Sequence, residues 1–134
     1  MDTFIQNLKM ILALLGGYLG SFLGIFDSLI YALVAFVSLD YLTGILLAIY
    51  EKKLSSNIGF KSIFKKILIF VLVSVGNIID QYIISTGSTI RTMIIMFYLT
   101  NEGISILENT AKMGVPFPQK LKDILQQIGD TYKK

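Results

Sequence analysis

The chain has 134 residues, of which 54% are hydrophobic and 16% charged, with a mean hydropathy of +0.68 and a formal net charge of +3. This length allows one domain at most, and a soluble domain so small cannot bury that much apolar surface. The sequence has no Cys and no His, which excludes disulfides, thiol nucleophiles, imidazole bases and most zinc or haem sites.

The charges are segregated. None lies between Lys9 and Asp27. Only Asp40 interrupts residues 28–50, only Asp80 interrupts 67–90, and only Glu102 interrupts 92–107. Apolar runs of about 18 or more residues with few charges read as transmembrane helices. The first run, 10–26, is ~25 Å long as a helix, short for a ~30 Å hydrocarbon core. A snorkelling Lys9 extends it, giving a span over about 9–26. Its weak basic start and the lack of a small-residue cleavage site argue against a signal peptide. An interfacial helix is the other alternative for a run this short. Gly16, Gly20 and Gly24 recur every four residues, a small-residue stripe that lets a second helix approach closely in lipid.

A break follows at Asp27 and Ser28, with Ser28 expected as the N-cap of the second helix. The second run, 29–50, is long enough to span with some tilt. Residues 51–66 form a basic loop with Lys52, Lys53, Lys61, Lys65 and Lys66 against Glu51. The third span is predicted over 67–84, and the small polar residues 85–89 read as a short loop. The fourth span covers 90–107, with Arg91 near its boundary. In the tail, 108–134, Gly114, Pro116 and Pro118 stop any continuing helix. Leu121, Ile124, Leu125 and Ile128 then fall at i, i+3, i+4 and i+7, a short amphipathic helix suited to the membrane surface or to packing on a neighbour.

The predicted fold is therefore an all-α integral membrane protein of a single domain, with four transmembrane helices (three as alternative) and a short amphipathic C-terminal helix. Lys-rich segments mark the cytoplasmic side, which places the basic loop and the C-terminus in the cytoplasm. The lysines of the loop determine topology and meet anionic lipid headgroups, a better partner than nucleic acid for a basic cluster beside a span.

Asp40, Asp80 and Glu102 are the informative residues, because an ionised carboxylate within the membrane costs ~2.5–3.5 kcal/mol on insertion scales. Each has polar company on its own helix. Asp40 is followed by Thr43 and Gly44. Asp80 follows Ser74 and Asn77 and precedes Gln81. Glu102 is followed by Ser105 and Asn109. Three roles are open to these groups: interhelical hydrogen bonding within the bundle, a polar face lining a pore between protomers, or a proton or cation relay. The aspartates lack the G-x-G-D context of intramembrane aspartyl proteases, and no catalytic residue, metal site or cofactor is expected.

The residues also resemble a family. Residues 39–44 (LDYLTG) precede a basic stretch, 55–61 (SSNIGFK) leads to Lys65 and Lys66, and the Asp80 helix follows. Residues 101–109 (NEGISILEN), then 114–118 (GVPFP) and 120–122 (KLK), carry the most specific order. Together these segments make the chain similar to phage lysis holins, in particular the group with the clostridial toxin-secretion holins, from about Asp40 to Ile128. The resemblance implies a homo-oligomer in the host's cytoplasmic membrane that opens lesions for a cell-wall hydrolase (endolysin) or a toxin, released as cargo without specific binding. The family supplies no catalytic residues. Asp40, Gly44, Asp80, Glu102, Ser105, Glu108 and Asn109 carry over as pattern positions only. A small ion-coupled transporter or channel, or a non-conducting membrane anchor, are the competing functions.

Overall fold

The computed structural model of the protein describes residues 1–85 and 87–132. Thr86, in the predicted 85–89 loop, and Lys133 and Lys134, in the predicted tail, lie outside the described residues. Among the described residues the fold is all helical: α1 Asp2–Leu23, α2 Ser28–Tyr50, α3 Ser56–Ile78, α4 Thr89–Lys112 and α5 Gln119–Tyr132. The last turns of α3 widen into a π-helical segment, Ile79–Ile84, which ends at a left-handed Ser85 (φ 59°).

The helix ends follow from local chemistry. α1 stops at Gly24, whose φ of 92° favours glycine and whose N–H returns to the Gly20 carbonyl at 2.9 Å. A Cβ at Gly24 would also sit 2.8 Å from Asn77 Oδ1 and 2.9 Å from Arg91 Nε, so backbone shape and crowding both require glycine there. α2 is capped by Asp27, not by Ser28 as expected. The Asp27 carboxylate accepts the Ile30 N–H at 3.0 Å, and Ser28 is already the first helical residue.

Ser55 caps α3 in the same way, through Ile58 N–H at 3.2 Å. That cap starts α3 well ahead of the predicted span at 67, so most of the predicted basic loop is helix and only residues 51–55 form the turn. α4 likewise runs past 107 to Lys112, where Gly114 (φ 88°) turns the chain.

α4 is the centre of the bundle. It packs most extensively on α2 and also contacts α3 and α5, while α1 rests on α3. The apolar core is small: Ile30, Leu33 and Val37 of α2, Ile69 and Val73 of α3, and Ile95 of α4. α1 buries no residue, and the outer faces of α1, α2 and α3 expose Leu, Ile, Val, Phe and Tyr along their length. Such a surface is a lipid-facing one. Among the described residues, two helices, Ser28–Tyr50 and Ser56–Ile84, are long and apolar enough by length and composition to cross a membrane. α1 carries Lys9, Gly and Ser residues, and α4 carries Arg91, Thr100, Asn101 and Glu102, which dilute their hydropathy.

α5 folds back antiparallel along α4. A Cβ at Gly103 would lie 3.0 Å from Leu125 Cδ1, and one at Gly129 would lie 2.8 Å from Thr100 Cγ2. The two helices thus approach through glycine on each side. Tyr132 reaches a pocket lined by Leu72, Met93, Ile94, Phe97 and Tyr98. Of the two placements expected for this helix, the structure has the packed one.

Candidate functional site

Helices surrounded by lipid gain little from burying apolar groups against each other, since lipid tails are equally apolar. Polar contacts must therefore hold this bundle in register, and the structure gathers them into two clusters at different levels.

The first cluster joins α2, α3 and α4. Lys66 Nζ donates to Asp40 Oδ2 at 2.7 Å and to Glu102 Oε2 and Oε1 at 3.1 and 3.4 Å. Asn109 Nδ2 donates to Asp40 Oδ1 at 3.1 Å and to Thr43 Oγ1 at 3.0 Å. The Thr43 hydroxyl donates back to the Leu39 and Asp40 carbonyls. Side-chain exposures are only 14% for Lys66, 10% for Asp40 and 9% for Glu102. The three charges leave a formal excess of one negative charge, and a buried arrangement of this kind is tolerable only because each charge has a partner. Gly44 faces the same site: a Cβ added there would lie 3.9 Å from Asn109 Nδ2. Ser105 is half-buried beside it.

Lys66 is where sequence and structure part. Its sequence neighbours place it with the headgroup lysines, but α3 starts at Ser56, so Lys66 lies ~15 Å along a helix and turns inward. Lys52, Lys53, Lys61 and Lys65 remain exposed.

The second cluster lies where α1, α2, α3 and α4 meet at the opposite ends of the helices. Asp80, fully buried, accepts the backbone N–H groups of Ile90 at 3.0 Å and Arg91 at 2.8 Å. It thereby caps α4 from the π-helical end of α3, with its negative charge at the positive end of the α4 dipole. The Arg91 side chain, 4% exposed, caps α1 in turn. Its Nε donates to the Leu23 carbonyl at 2.7 Å and its Nη2 to the Ile25 carbonyl at 2.8 Å. Nη1 and Nη2 also grip the two Asp27 carboxylate oxygens at 3.0 and 3.2 Å. The Arg91 guanidinium holds the Asp27 carboxyl below the usual carboxylate range, chiefly through these hydrogen bonds. Asn77 Nδ2 donates to the Phe22 carbonyl at 3.0 Å, a third tie to the end of α1.

Among the described residues, no buried side-chain nitrogen or oxygen lacks a partner. The structure thus brings together Asp40, Thr43, Glu102 and Asn109 in one cluster and Asn77 and Asp80 in the other. Ser74 bonds its own helix at the Phe70 carbonyl and borders an apolar groove. Gln81 is exposed and reaches the Gly87 carbonyl at 3.4 Å. Gly16 and Gly20 face open space, with nothing within 4 Å of an added Cβ, whereas Gly24 is packed. Sequence reasoning missed Asp27 and Arg91 as partners and Lys66 as a member of the core cluster. One signal was present: Arg91 is the sole arginine and opens an otherwise apolar run, where an unpaired cation is costly.

The bacteriophage holin family model matches residues 17–130. The chain is 41% identical to an uncharacterized 14.9 kDa protein in the nagH 3′ region of Clostridium perfringens, over 97% of this chain and 98% of that protein. It is 44% identical to the uncharacterized protein Lmo0128 of Listeria monocytogenes, over 82% and 78%, and 30% identical to YtkC of Bacillus subtilis, over 86% and 85%. No solved structure matches it. With a membrane-type exterior, internal polar ties and a family match that takes in both polar clusters, this chain is a membrane protein that belongs to the bacteriophage holin family.

Proposed function

We propose that this protein acts as a holin without enzymatic activity: it assembles into a homo-oligomer in a bacterial cytoplasmic membrane and opens lesions that let folded proteins out. The observation that carries the reading is the division of polarity within a holin-family chain. Asp40 of α2, Lys66 of α3, Asp80 at the end of α3, and Arg91 and Glu102 of α4 are paired inward, while the outer faces of the apolar helix stretches expose Leu, Ile, Val, Phe and Tyr. A protomer of this kind is soluble in lipid and has surface to spare for copies of itself.

In this proposal all four long helices, α1 to α4, cross the bilayer. Both termini and the α2–α3 turn are cytoplasmic, and Lys52, Lys53, Lys61 and Lys65 meet anionic headgroups. The open stripe at Gly16 and Gly20 is where α1 meets a second copy. The cargo, an endolysin or a toxin, passes without a binding site.

The test is release from liposomes holding the purified protein, with a small dye and a folded protein of tens of kilodaltons trapped together. Release of both supports the proposal. Dye release alone points to a channel or transporter, and release of neither points to an anchor.

A further inference from the structure

α2 and α3 are joined by a turn of residues 51–55, yet each packs on α4 far more than on the other. The gap between them deepens into two apolar hollows. The first, about 460 Å³, lies between Tyr41 and Ile45 of α2 and Gly59, Phe60 and Ile63 of α3. The second, about 510 Å³, lies between Val34 and Ser38 of α2 and Ile67, Phe70 and Ser74 of α3. These residues recur three or four apart on each helix, so both hollows sit on one stripe and form one groove. Ile69 and Val73, which face the core, lie on another side of α3. The first hollow opens at the turn, where Leu54, Ser55 and Ser56 line it and Lys52 and Lys53 directly precede Leu54. The turn is fixed, with the Lys53 N–H on the Ala48 carbonyl at 2.8 Å and Lys52 at a φ of 57°.

The depth agrees with the headgroup lysines. Gly59 and Phe60 adjoin Lys61. Lys65 is one turn further in, ~6 Å, and reaches the headgroups by snorkelling from the opposite side of α3. From Lys61 to Asp80 the helix rises ~29 Å, the thickness of a hydrocarbon core. In the orientation proposed above, the mouth of the groove therefore lies at the cytoplasmic headgroups. The stripe from Gly59 to Phe70 is ~17 Å long, close to one leaflet, half of a ~30 Å core. The charge around the mouth is positive. Residues 51–65 carry Lys52, Lys53, Lys61 and Lys65 against Glu51. The cytoplasmic ends of α4 and α5 carry Lys112, Lys120 and Lys122 against Glu108 and Asp123, and Asp2 and Lys9 of α1 cancel. Lys66 is taken up inside the bundle by Asp40 and Glu102. A flexible apolar chain below an anionic phosphate matches both groove and mouth. A second helix, ~10 Å across, fits less well. Phe22 and Leu23 of α1 wall the second hollow, and Arg91 and Asn77 pin that end of α1, so a helix running the length of the groove would have to displace it.

We propose that the α2–α3 groove is a binding site for an anionic phospholipid of the cytoplasmic leaflet. Lys52 and Lys53 hold its phosphate, and one acyl chain runs from Gly59 past Ile63 and Ile67 toward Phe70. The bound lipid supplies the packing that α2 and α3 lack between them. The site goes beyond lesion formation and stands whether or not the protein releases cargo. It rests only on the membrane orientation given above.

The chain has no tryptophan, so a single introduced one reports alone. Full chains carrying Phe60→Trp, in the groove, or Phe64→Trp, exposed one turn away outside it, are reconstituted in phosphatidylcholine vesicles. A minor fraction of the lipid carries brominated acyl chains, which quench tryptophan on contact, and is either phosphatidylglycerol or phosphatidylcholine. The site requires that phosphatidylglycerol quench Phe60→Trp more than the same fraction of phosphatidylcholine does, with a much weaker preference at Phe64→Trp. Lys52→Gln and Lys53→Gln, both at exposed positions, should lower that preference by about fivefold for each lysine lost. Gly59→Leu, which fills the mouth and suits a helix, should abolish it. Equal quenching of Phe60→Trp by the two lipids means that the groove takes bulk lipid without selecting it. Absent quenching there, beside strong quenching of Phe64→Trp, means that a second copy covers the groove. A preference undiminished by the lysine changes places the selecting charge elsewhere. Each of these three results overturns the site. Dye release by the unmodified chain is read separately, so loss of the lesion reading and loss of the lipid site are told apart.

Discussion

Lys66 Nζ and Asp40 Oδ2 lie 2.7 Å apart, joining α3 to α2 in the interior of the bundle, with Glu102 of α4 completing the group from a third helix at 3.1 Å. One lysine therefore ties three helices whose residues stand 26 and 36 positions apart in the chain.

Removing that lysine should be the most damaging single change. Lys66→Met keeps most of the volume but leaves two carboxylates buried without a cation, at a cost of about 3–5 kcal/mol. Adding Asp40→Asn and Glu102→Gln to the same chain should recover much of the loss, because the uncompensated charge is then gone. Denaturation in detergent micelles reads both. A single variant as stable as the parent would show that the cluster does not hold the bundle.

Asp80 should act through the start of α4. Asp80→Ala removes the acceptor for the Ile90 and Arg91 N–H groups and should cost about 1–2 kcal/mol, the usual range for an N-cap. Asp80→Asn, which keeps one acceptor, should cost less. Hydrogen exchange at residues 89–92 is the sensitive readout: those amides should lose protection first in Asp80→Ala, and uniform loss along α4 would contradict the capping role.

The pair of Asp27 and Arg91 predicts a dependence on pH. Arg91 lowers the folded-state pKa of Asp27. The stabilisation is therefore fully present above the unfolded carboxylate value of ~3.9 and is lost as the pH falls through the lower folded value. Asp27→Asn should flatten that part of the stability profile while leaving the neutral-pH helix content intact. An unchanged acid limb would dissociate the pair from stability.

The glycines of α1 should separate into two kinds. Gly24→Ala places a Cβ within 2.8 Å of Asn77 Oδ1 at a left-handed backbone position, and should destabilise the protomer by at least about 1 kcal/mol. Gly16→Leu and Gly20→Leu meet open space within the protomer and should leave its stability alone. Crosslinking should instead show smaller or fewer oligomers, with altered lysis timing. Unchanged oligomers would remove the stripe from assembly.

Much of the architecture was legible because it depends on neighbours in sequence. Hydropathy and charge spacing marked the long apolar helices. The i, i+3, i+4, i+7 pattern from Leu121 marked α5, and the isolated carboxylates Asp40, Asp80 and Glu102 stood out by their cost in an apolar run. Boundaries were less legible. The Ser55 cap carries α3 back through most of the predicted basic loop, and Asp27 takes the capping role assigned to Ser28.

The sequence by itself determined that this is an all-helical membrane protein of the holin type with buried acids, since composition, periodicity and motif order are local properties. Only the tertiary structure decided what those acids meet. Asn109 finds Asp40, Arg91 finds Leu23 and Asp27, and Gly129 finds Thr100, all across long stretches of chain. Periodicity states which face of a helix is polar, but the partner of that face is set by the packing of distant helices. For that reason Lys66 reads as a surface charge in sequence and is an interior one in the fold.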